Sequence, residues 1–299
     1  MSDVVDDELA PVSAEPSPRR TRPRRRSSGG LPFVVPALVV LVLLTAWPAG
    51  RLLWTSLHRS SVSAPADDTF VGLANYGDVL SSRTWWLAVL ATLGLVVVCV
   101  VVQLGLGALF AATLRRITVV RAHVRMLALL PFVVLGVSTA SIWREALVNG
   151  FAPDWFGYDG SSPAAAGAAV VASEVWRGTG VTTLILLAGL ERIPSRLRDA
   201  TVADGASPRQ VLLRLVLPAT APFVAVAVVY RALDAVRAFE APLLARGSTD
   251  ATTLTTLLWD TSVVRLESGL AATIAVLTLV VAAVLGASLT LGLRLRRVV

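Results

Sequence analysis

Apolar residues in this chain gather into long runs, at residues 31–57, 85–112, 125–147, 165–190, 216–240 and 269–293. Each run is long enough to cross a hydrocarbon layer of roughly 30 Å at about 1.5 Å per residue. Charge interrupts two of them, with Arg144-Glu145 in the third and Glu174 with Arg177 in the fourth. The sharpest break in the pattern is a polar island at 192–218, RIPSRLRDATVADGASPRQVLLRLVLP. It is too charged to lie in a bilayer, yet its apolar positions recur at helical intervals on either side of Asp204-Gly205, a turn signal. The island therefore reads as a helix–turn–helix in a connecting loop, with Pro218 opening the next span.

Composition agrees with the spans. Of 299 residues 55% are hydrophobic, and the mean hydropathy is +0.71. The class is an all-α polytopic membrane protein with six transmembrane helices, in contact with membrane lipid. The net charge of +7 does not read as a nucleic-acid surface, because all 27 basic residues are Arg and none is Lys. That usage reflects a GC-rich coding bias and a bacterial source, so no nucleic-acid partner is expected. Cys99 is the single cysteine, and His58 and His123 lie in different segments, so neither a disulfide nor a metal site is expected. No catalytic set and no bound cofactor are expected either.

Residues 1–30, acidic at Asp3, Asp6, Asp7 and Glu8 and then rich in Arg from Arg19 to Arg26, read as a disordered tail. The run that follows is too long for a signal-peptide core and is read as a retained first span, opening a membrane domain at 31–299. Placing both termini in the cytoplasm puts 18 arginines on inner segments and leaves Arg59, Arg83, Arg246 and Arg265 outside. Such a bias fixes orientation in a plasma membrane and assigns the island to the cytoplasmic face. Trp47, Trp54, Trp85, Trp86 and Trp143 lie near span ends as interfacial anchors, while Gly94, Gly105, Gly107, Gly269 and Gly286 favour close helix packing.

The island carries a spaced motif. Asp199-Ala200-Thr201 is followed after three residues by Gly205, and after nine more by Leu215, then Leu217-Pro218. This resembles the EAA-x3-G-x9-I-x-L-P loop of the membrane subunits of binding-protein-dependent ABC importers. Ala188-Gly-Leu before Ile193-Pro194, and Asp204-Gly-Ala-Ser207, resemble its sugar-permease branch. Phe70-Val-Gly-Leu-Ala-Asn-Tyr76 resembles an FxGLxNY box of that branch, here read as an ordered loop. The chain departs from the pattern at Asp199, Thr201 and Leu215, where the family has Glu, Ala and Ile. The residue types make physical sense. Small Ala200, Ala203 and Ala206 let a helix enter a cleft, Gly205 can take positive φ where the chain reverses, and Leu217-Pro218 gives a stiff return to the membrane.

The resemblance implies a type I ABC importer (MetI-like) architecture. It implies a second, non-identical permease, two ATPase subunits and an extracytoplasmic substrate-binding protein as partners. ATP would be used by the partner, since the chain has no P-loop and lacks the lysine one needs. The residues implied to meet the ATPase are Asp199, Ala200, Thr201, Asp204, Gly205, Ala206, Leu215, Leu217 and Pro218. The stretch Tyr230 to Arg237 is similar to that of trehalose- and maltose-type permeases, pointing to a disaccharide.

Arg231, Asp234, Arg237 and Glu240 recur at three-residue steps and so fall near one face of the fifth span. Either that face lines the translocation pathway, or Arg231–Asp234 and Arg237–Glu240 are structural ion pairs. Glu174 and Arg177 read as a packing or gating pair, and Gln103 as a hydrogen-bonding link between helices. An ion-coupled secondary transporter is the alternative function, but it would leave the island unexplained and would call for inverted repeats that the sequence does not display. An intramembrane enzyme would need a catalytic pair or metal motif in the spans, and Asp234 is the single aspartate well inside one.

Overall fold

The computed structural model describes residues 31–63, 68–117, 121–157, 159–245 and 252–295. The tail at 1–30, Arg246 and Arg296-Arg297 lie outside the described residues. By internal contacts the chain forms two units, Met1–Pro48 and Ala49–Val299, with the boundary inside the first helix, α1 (Leu31–Ser56).

The second unit is built on long helices: α3 (Arg83–Arg116), α7 (Pro163–Glu191), α10 (Leu217–Val236) and α13 (Ser268–Leu295). In hydrocarbon every backbone N–H and C=O must pair within its own segment, so unbroken runs of Val, Leu and Ala become helices. Helix α7 begins where the sequence marks it, with Ser162 Oγ accepting from the Ala165 N–H and Pro163 at the first helical position. Helices α3, α7 and α10 pack together. Val96, Cys99 and Val100 meet Ala232, Ala235 and Val236 in one buried cluster, and Ala111 and Leu114 meet Leu186, Leu187 and Ala227 in another. Buried hydroxyls of α7 bond within their own helix, Thr182 to the Gly178 carbonyl (3.0 Å) and Thr183 to that of Thr179 (2.8 Å).

The sequence expectations for Pro218, Trp85, Gly94 and Gly105 are corrected here, and the third span takes a shape that its sequence left open. The third span is not straight: α4 (Arg121–Val133) and α5 (Gly136–Arg144) meet at a bend of 82°. Pro131 lacks the N–H that would bond the Leu127 carbonyl, and the helix stops two residues later. Five described helices thus suffice to cross a membrane by length and composition, or six with the bent pair counted as one span. Pro218 does not open the fifth span. The helix runs from α9 (Pro208–Val211) through a π-helical turn at Leu212–Val216 into α10. That wide turn sits where the Pro218 ring would otherwise press on the carbonyl four residues earlier. Finally, Trp85 is buried among Val79, Ala88, Leu254 and Ile274 instead of anchoring at an interface, and Gly94 and Gly105 face open space. Gly107, Gly269 and Gly286 do admit close neighbours.

The end of the bundle where α1 finishes carries a small ordered cap. Strands β1 (His58–Arg59) and β2 (Thr69–Phe70) pair antiparallel, and α2 (Ala74–Ser81) follows. Asn75 is buried, and its amide donates to the carbonyls of Ser56 and His58, both at 2.9 Å. Ser56 Oγ pairs with the Tyr76 hydroxyl at 2.7 Å. The Phe70–Tyr76 box is therefore an ordered structural loop, as its sequence suggests. Asn75→Ala is expected to lower stability by about 2 kcal/mol, since it strands the His58 carbonyl at a buried position and leaves that of Ser56 with the Thr273 hydroxyl alone, at 3.2 Å. Thermal unfolding of the detergent-solubilised protein would read this as a lower midpoint.

Candidate functional site

At the opposite end the chain leaves α7 at Glu191 and turns into α8 (Ser195–Ala203). The root of this loop is fastened down. Ile193 is buried and its carbonyl accepts from Arg115 Nη2 at 3.2 Å. The Arg192 guanidinium lies 5.4 Å from the centre of the Phe223 ring, and Glu191 forms an ion pair with Arg125 of α4. Beyond the root the loop stands clear of the bundle. Asp199, Ala200, Ala203, Asp204 and Gly205 are exposed, and Thr201 and Ala206 are half-buried.

The turn at Asp204-Gly205 is a Schellman closure. Asp204 caps α8, Gly205 adopts φ +78°, its N–H bonds the Val202 carbonyl at 3.0 Å, and the Ala206 N–H bonds that of Thr201 at 3.2 Å. Ser207 and Gln210 then form a capping box, with Pro208 at the first position of the next helix. The predicted helix–turn–helix is thus specified residue by residue. Thr201, which stands where the resembled motif has Ala, satisfies its own hydroxyl on the Leu197 carbonyl at 2.7 Å. Leu197 and Val202 are each about half exposed on the otherwise charged α8, while Leu212, Leu213 and Leu217, also about half exposed, belong to the fifth span, whose helix runs from Pro208. Leu215 is half-buried and Pro218 exposed.

The second concentration of predicted residues lies inside the bundle, where α3, α7 and α10 converge. Arg231 is only 1% exposed. Its Nε donates to Gln103 Oε1 at 2.7 Å and its Nη1 to Asp234 Oδ2 at 2.6 Å. Gln103 in turn donates through Nε2 to the Glu174 backbone carbonyl at 2.7 Å. Arg177 Nη2 reaches Glu174 Oε2 at 3.4 Å. The Arg231 guanidinium rests on Gly178, where a Cβ would overlap its Cζ and Nη2. A chain of hydrogen bonds therefore joins three helices through one buried arginine, the arrangement that makes an intramembrane charge tolerable. Arg177 and Asp234 remain about one-fifth exposed, so the network has an open side.

The four charges of the fifth span do not share a helix. Helix α10 ends at Val236, Arg237 caps it, and Glu240 begins the separate α11 (Glu240–Leu244). Glu240 lies against Gly136, the first residue of α5, where a Cβ would sit 2.8 Å from its carboxyl carbon. Arg237 is exposed and forms no ion pair with Glu240. A three-residue step assumes an unbroken helix, and the turn at Arg237 breaks it. Gly178 and Gly136 are essential to this arrangement, and sequence reasoning misses both. Their only signal there is a glycine inside an apolar run next to a charge or a bend.

Residues 103–295 match the family described as binding-protein-dependent transport system inner membrane component. The trehalose transport system permease protein SugA of Mycobacterium tuberculosis (strain ATCC 25618 / H37Rv) is 34% identical over 252 residues, 82% of each chain. The trehalose/maltose transport system permease protein MalF of Thermococcus litoralis is 33% identical over 230 residues, 72% of this chain and 76% of that one. Among solved structures, a chain of a bacterial alginate ABC transporter in complex with an alginate-pentasaccharide-bound periplasmic protein superposes with a TM-score of 0.73 at 19% identity. That match covers 88% of this chain and 93% of the other and establishes the shared fold. A helical bundle of this fold, a capped loop held outside it and a family match across most of its spans lead to one conclusion: the chain belongs to the binding-protein-dependent transport system inner membrane components, a multi-pass ABC permease family.

Proposed function

We propose that this chain is one permease subunit of an ATP-driven ABC importer for a sugar, with a disaccharide of the trehalose or maltose type as substrate. It forms half of the translocation pathway together with a second, non-identical permease. Two ATPase subunits bind on the cytoplasmic side, and a substrate-binding protein docks outside. The observation that carries this reading is the loop at 192–218, whose motif spacing coincides with a Schellman-capped helix held clear of the bundle. A closed surface would bury Leu197 and Val202, whereas here they are presented on charged α8, as a protein-docking element requires. Arginine asymmetry places that end in the cytoplasm, where ATP is. The names of the relatives support the sugar.

In this mechanism the chain performs no covalent chemistry. Closure of the ATPase pair moves α8, the bundle switches its open side, and the substrate passes between the two permeases. Asp199, Ala200, Thr201, Asp204, Gly205, Ala206, Leu215, Leu217 and Pro218 make up the coupling loop. Asp234, Arg237 and Glu240, each at least partly exposed, supply polar groups that hydroxyls can use, Arg231 holds Asp234 in place, and buried Glu174 with Arg177 acts as a packing or gating pair.

The test is reconstitution in liposomes with and without the partners. Uptake of labelled trehalose should require ATP inside, the ATPase and the binding protein together. Uptake by this chain alone, driven by a proton or sodium gradient, would favour a secondary transporter and overturn the proposal.

A further inference from the structure

We propose that the cleft between α3, α4 and α7 holds the acyl chain of an anionic phospholipid, whose headgroup lies against Arg115 and Arg116. The cleft is open to the outside and measures about 630 Å³, and Phe110, Leu114, Val124, Leu127, Trp143 and Trp176 are among its walls. None of the described residues that line it is charged. Its two hydroxyls are spent on their own helix, Thr179 on the Val175 carbonyl (2.5 Å) and Thr183 on that of Thr179 (2.8 Å). A sugar placed there would strand its hydroxyls, whereas a hydrocarbon chain gives up nothing. The cleft is thus a different kind of site from the polar groups around Arg231.

Its dimensions suit a lipid tail. Along α7 the lining runs from Ala172 to Thr183, an advance of roughly 16 Å at about 1.5 Å per residue. That is about half of a hydrocarbon layer of roughly 30 Å, the depth one leaflet supplies. Spread over that length, the volume gives a width of about 7 Å. A helix with its side chains needs about 10–12 Å and would not seat fully. An acyl chain is thinner and can follow an irregular wall, completing the packing where the protein itself leaves space.

Charge at one end selects the headgroup. Leu114 closes the cleft on α3, and Arg115 and Arg116 follow it in the last turn. Arg115 donates to the Ile193 carbonyl, a neutral partner that leaves its charge in place, and Arg116 is exposed. On α4, Val124 is followed by Arg125, whose charge Glu191 offsets. Positive charge therefore gathers where the cleft ends, on the side of the α8 loop that arginine asymmetry assigns to the cytoplasm. Arginine holds phosphate through paired N–H donors, and basic groups at the cytoplasmic end of a groove between spans are where anionic headgroups bind.

The experiment reconstitutes the full chain, with the second permease proposed above, into bilayers of phosphatidylcholine and phosphatidylglycerol in which one lipid or the other carries brominated acyl chains. Bromine quenches tryptophan on contact. Trp143 and Trp176 line the cleft, so the emission lost in Trp143→Phe with Trp176→Phe is its reporter. Relative binding read from this reporter should favour phosphatidylglycerol at least about fivefold, what one arginine near a headgroup supplies. Arg115→Gln with Arg116→Gln should bring that ratio to about one while quenching by phosphatidylcholine persists. Ala172→Phe, which fills part of the cleft and touches no charge, should lower quenching by both lipids. A ratio near one in the unaltered chain overturns the proposal, and that comparison needs neither cleft variant to fold. A ratio unmoved by loss of the arginines, or quenching undiminished by Ala172→Phe, overturns it as well. A reporter that neither lipid quenches would show that the second permease covers the cleft, and that too overturns it.

Discussion

Gly178→Ala should largely prevent this protein from accumulating as a folded, monodisperse species, even though the added group is one methyl in the middle of a helix. The new Cβ would occupy the space of Arg231 Cζ and Nη2. The guanidinium is hydrogen-bonded on both sides, to Gln103 Oε1 at 2.7 Å and Asp234 Oδ2 at 2.6 Å, and it is buried, so it has no free direction in which to move. Displacing it leaves an uncompensated cation and a stranded amide between three helices. A cost of about 3 kcal/mol or more is expected, a large part of an ordinary folding margin. Gly94→Ala is the matched control. It is also a mid-helix glycine in an apolar span, but nothing lies within 4 Å of its added Cβ. Helix propensity alone should make that change neutral or slightly stabilising. Size-exclusion profiles and thermal midpoints of the two variants in detergent would read the difference. Equal behaviour would show that Arg231 is not seated against Gly178.

Gly205→Val should separate membrane insertion from partner binding. Gly205 has φ +78°, a region that costs an L-residue about 1–2 kcal/mol and a β-branched one more. A Cβ added there would meet no atom within 4 Å, so the penalty is conformational and falls on the Schellman turn alone. Asp204 and Gly205 are exposed and the spans are untouched, so insertion should proceed normally. Loss of the turn redirects α8, and if α8 is the coupling element proposed above, affinity for the proposed ATPase partner should drop about tenfold or more. Asparagine tolerates the left-handed region, so Gly205→Asn should retain most of the binding. Co-purification of the ATPase with each variant checks this. Equal loss with Val and Asn would mean that the bare surface of the glycine matters and not its backbone conformation.

The two glycines differ in how far the amino-acid sequence reveals them. Gly205 is legible because its role is local. A turn signal between two helical patterns, with Ser207-Pro208 immediately after it, specifies a Schellman closure and a capping box within a few residues. Gly178 is not legible, because the group it admits comes from Arg231, far along the chain on another helix. The same contrast separates the charges of the fifth span. The Arg231–Asp234 pair lies within one helix and follows from spacing. The position of Glu240 depends on where α10 ends, and a turn at Arg237 moves it onto α11 and against Gly136. Gln103, one polar residue in an apolar run, reads only as a link between helices. Its place between Arg231 and Glu174 makes it a relay.

Hydropathy, turn chemistry and motif spacing are enough to make this chain a helical membrane protein, to place its spans roughly, to fold its polar island as a helix–turn–helix and to give that island its family motif. All three act over a few residues or along one helix, so the linear order of residues carries them. Packing settles the rest: the third span bends by 82°, the helix of the fifth begins at Pro208, and Trp85 belongs to the core. Packing also ties α3, α7 and α10 together through one buried arginine and pins the root of α8 to α4 by Arg125 and Glu191. Hydropathy measures how much a segment prefers lipid and says nothing of its direction. Which helix supplies a charge's partner is settled between residues far apart in the chain.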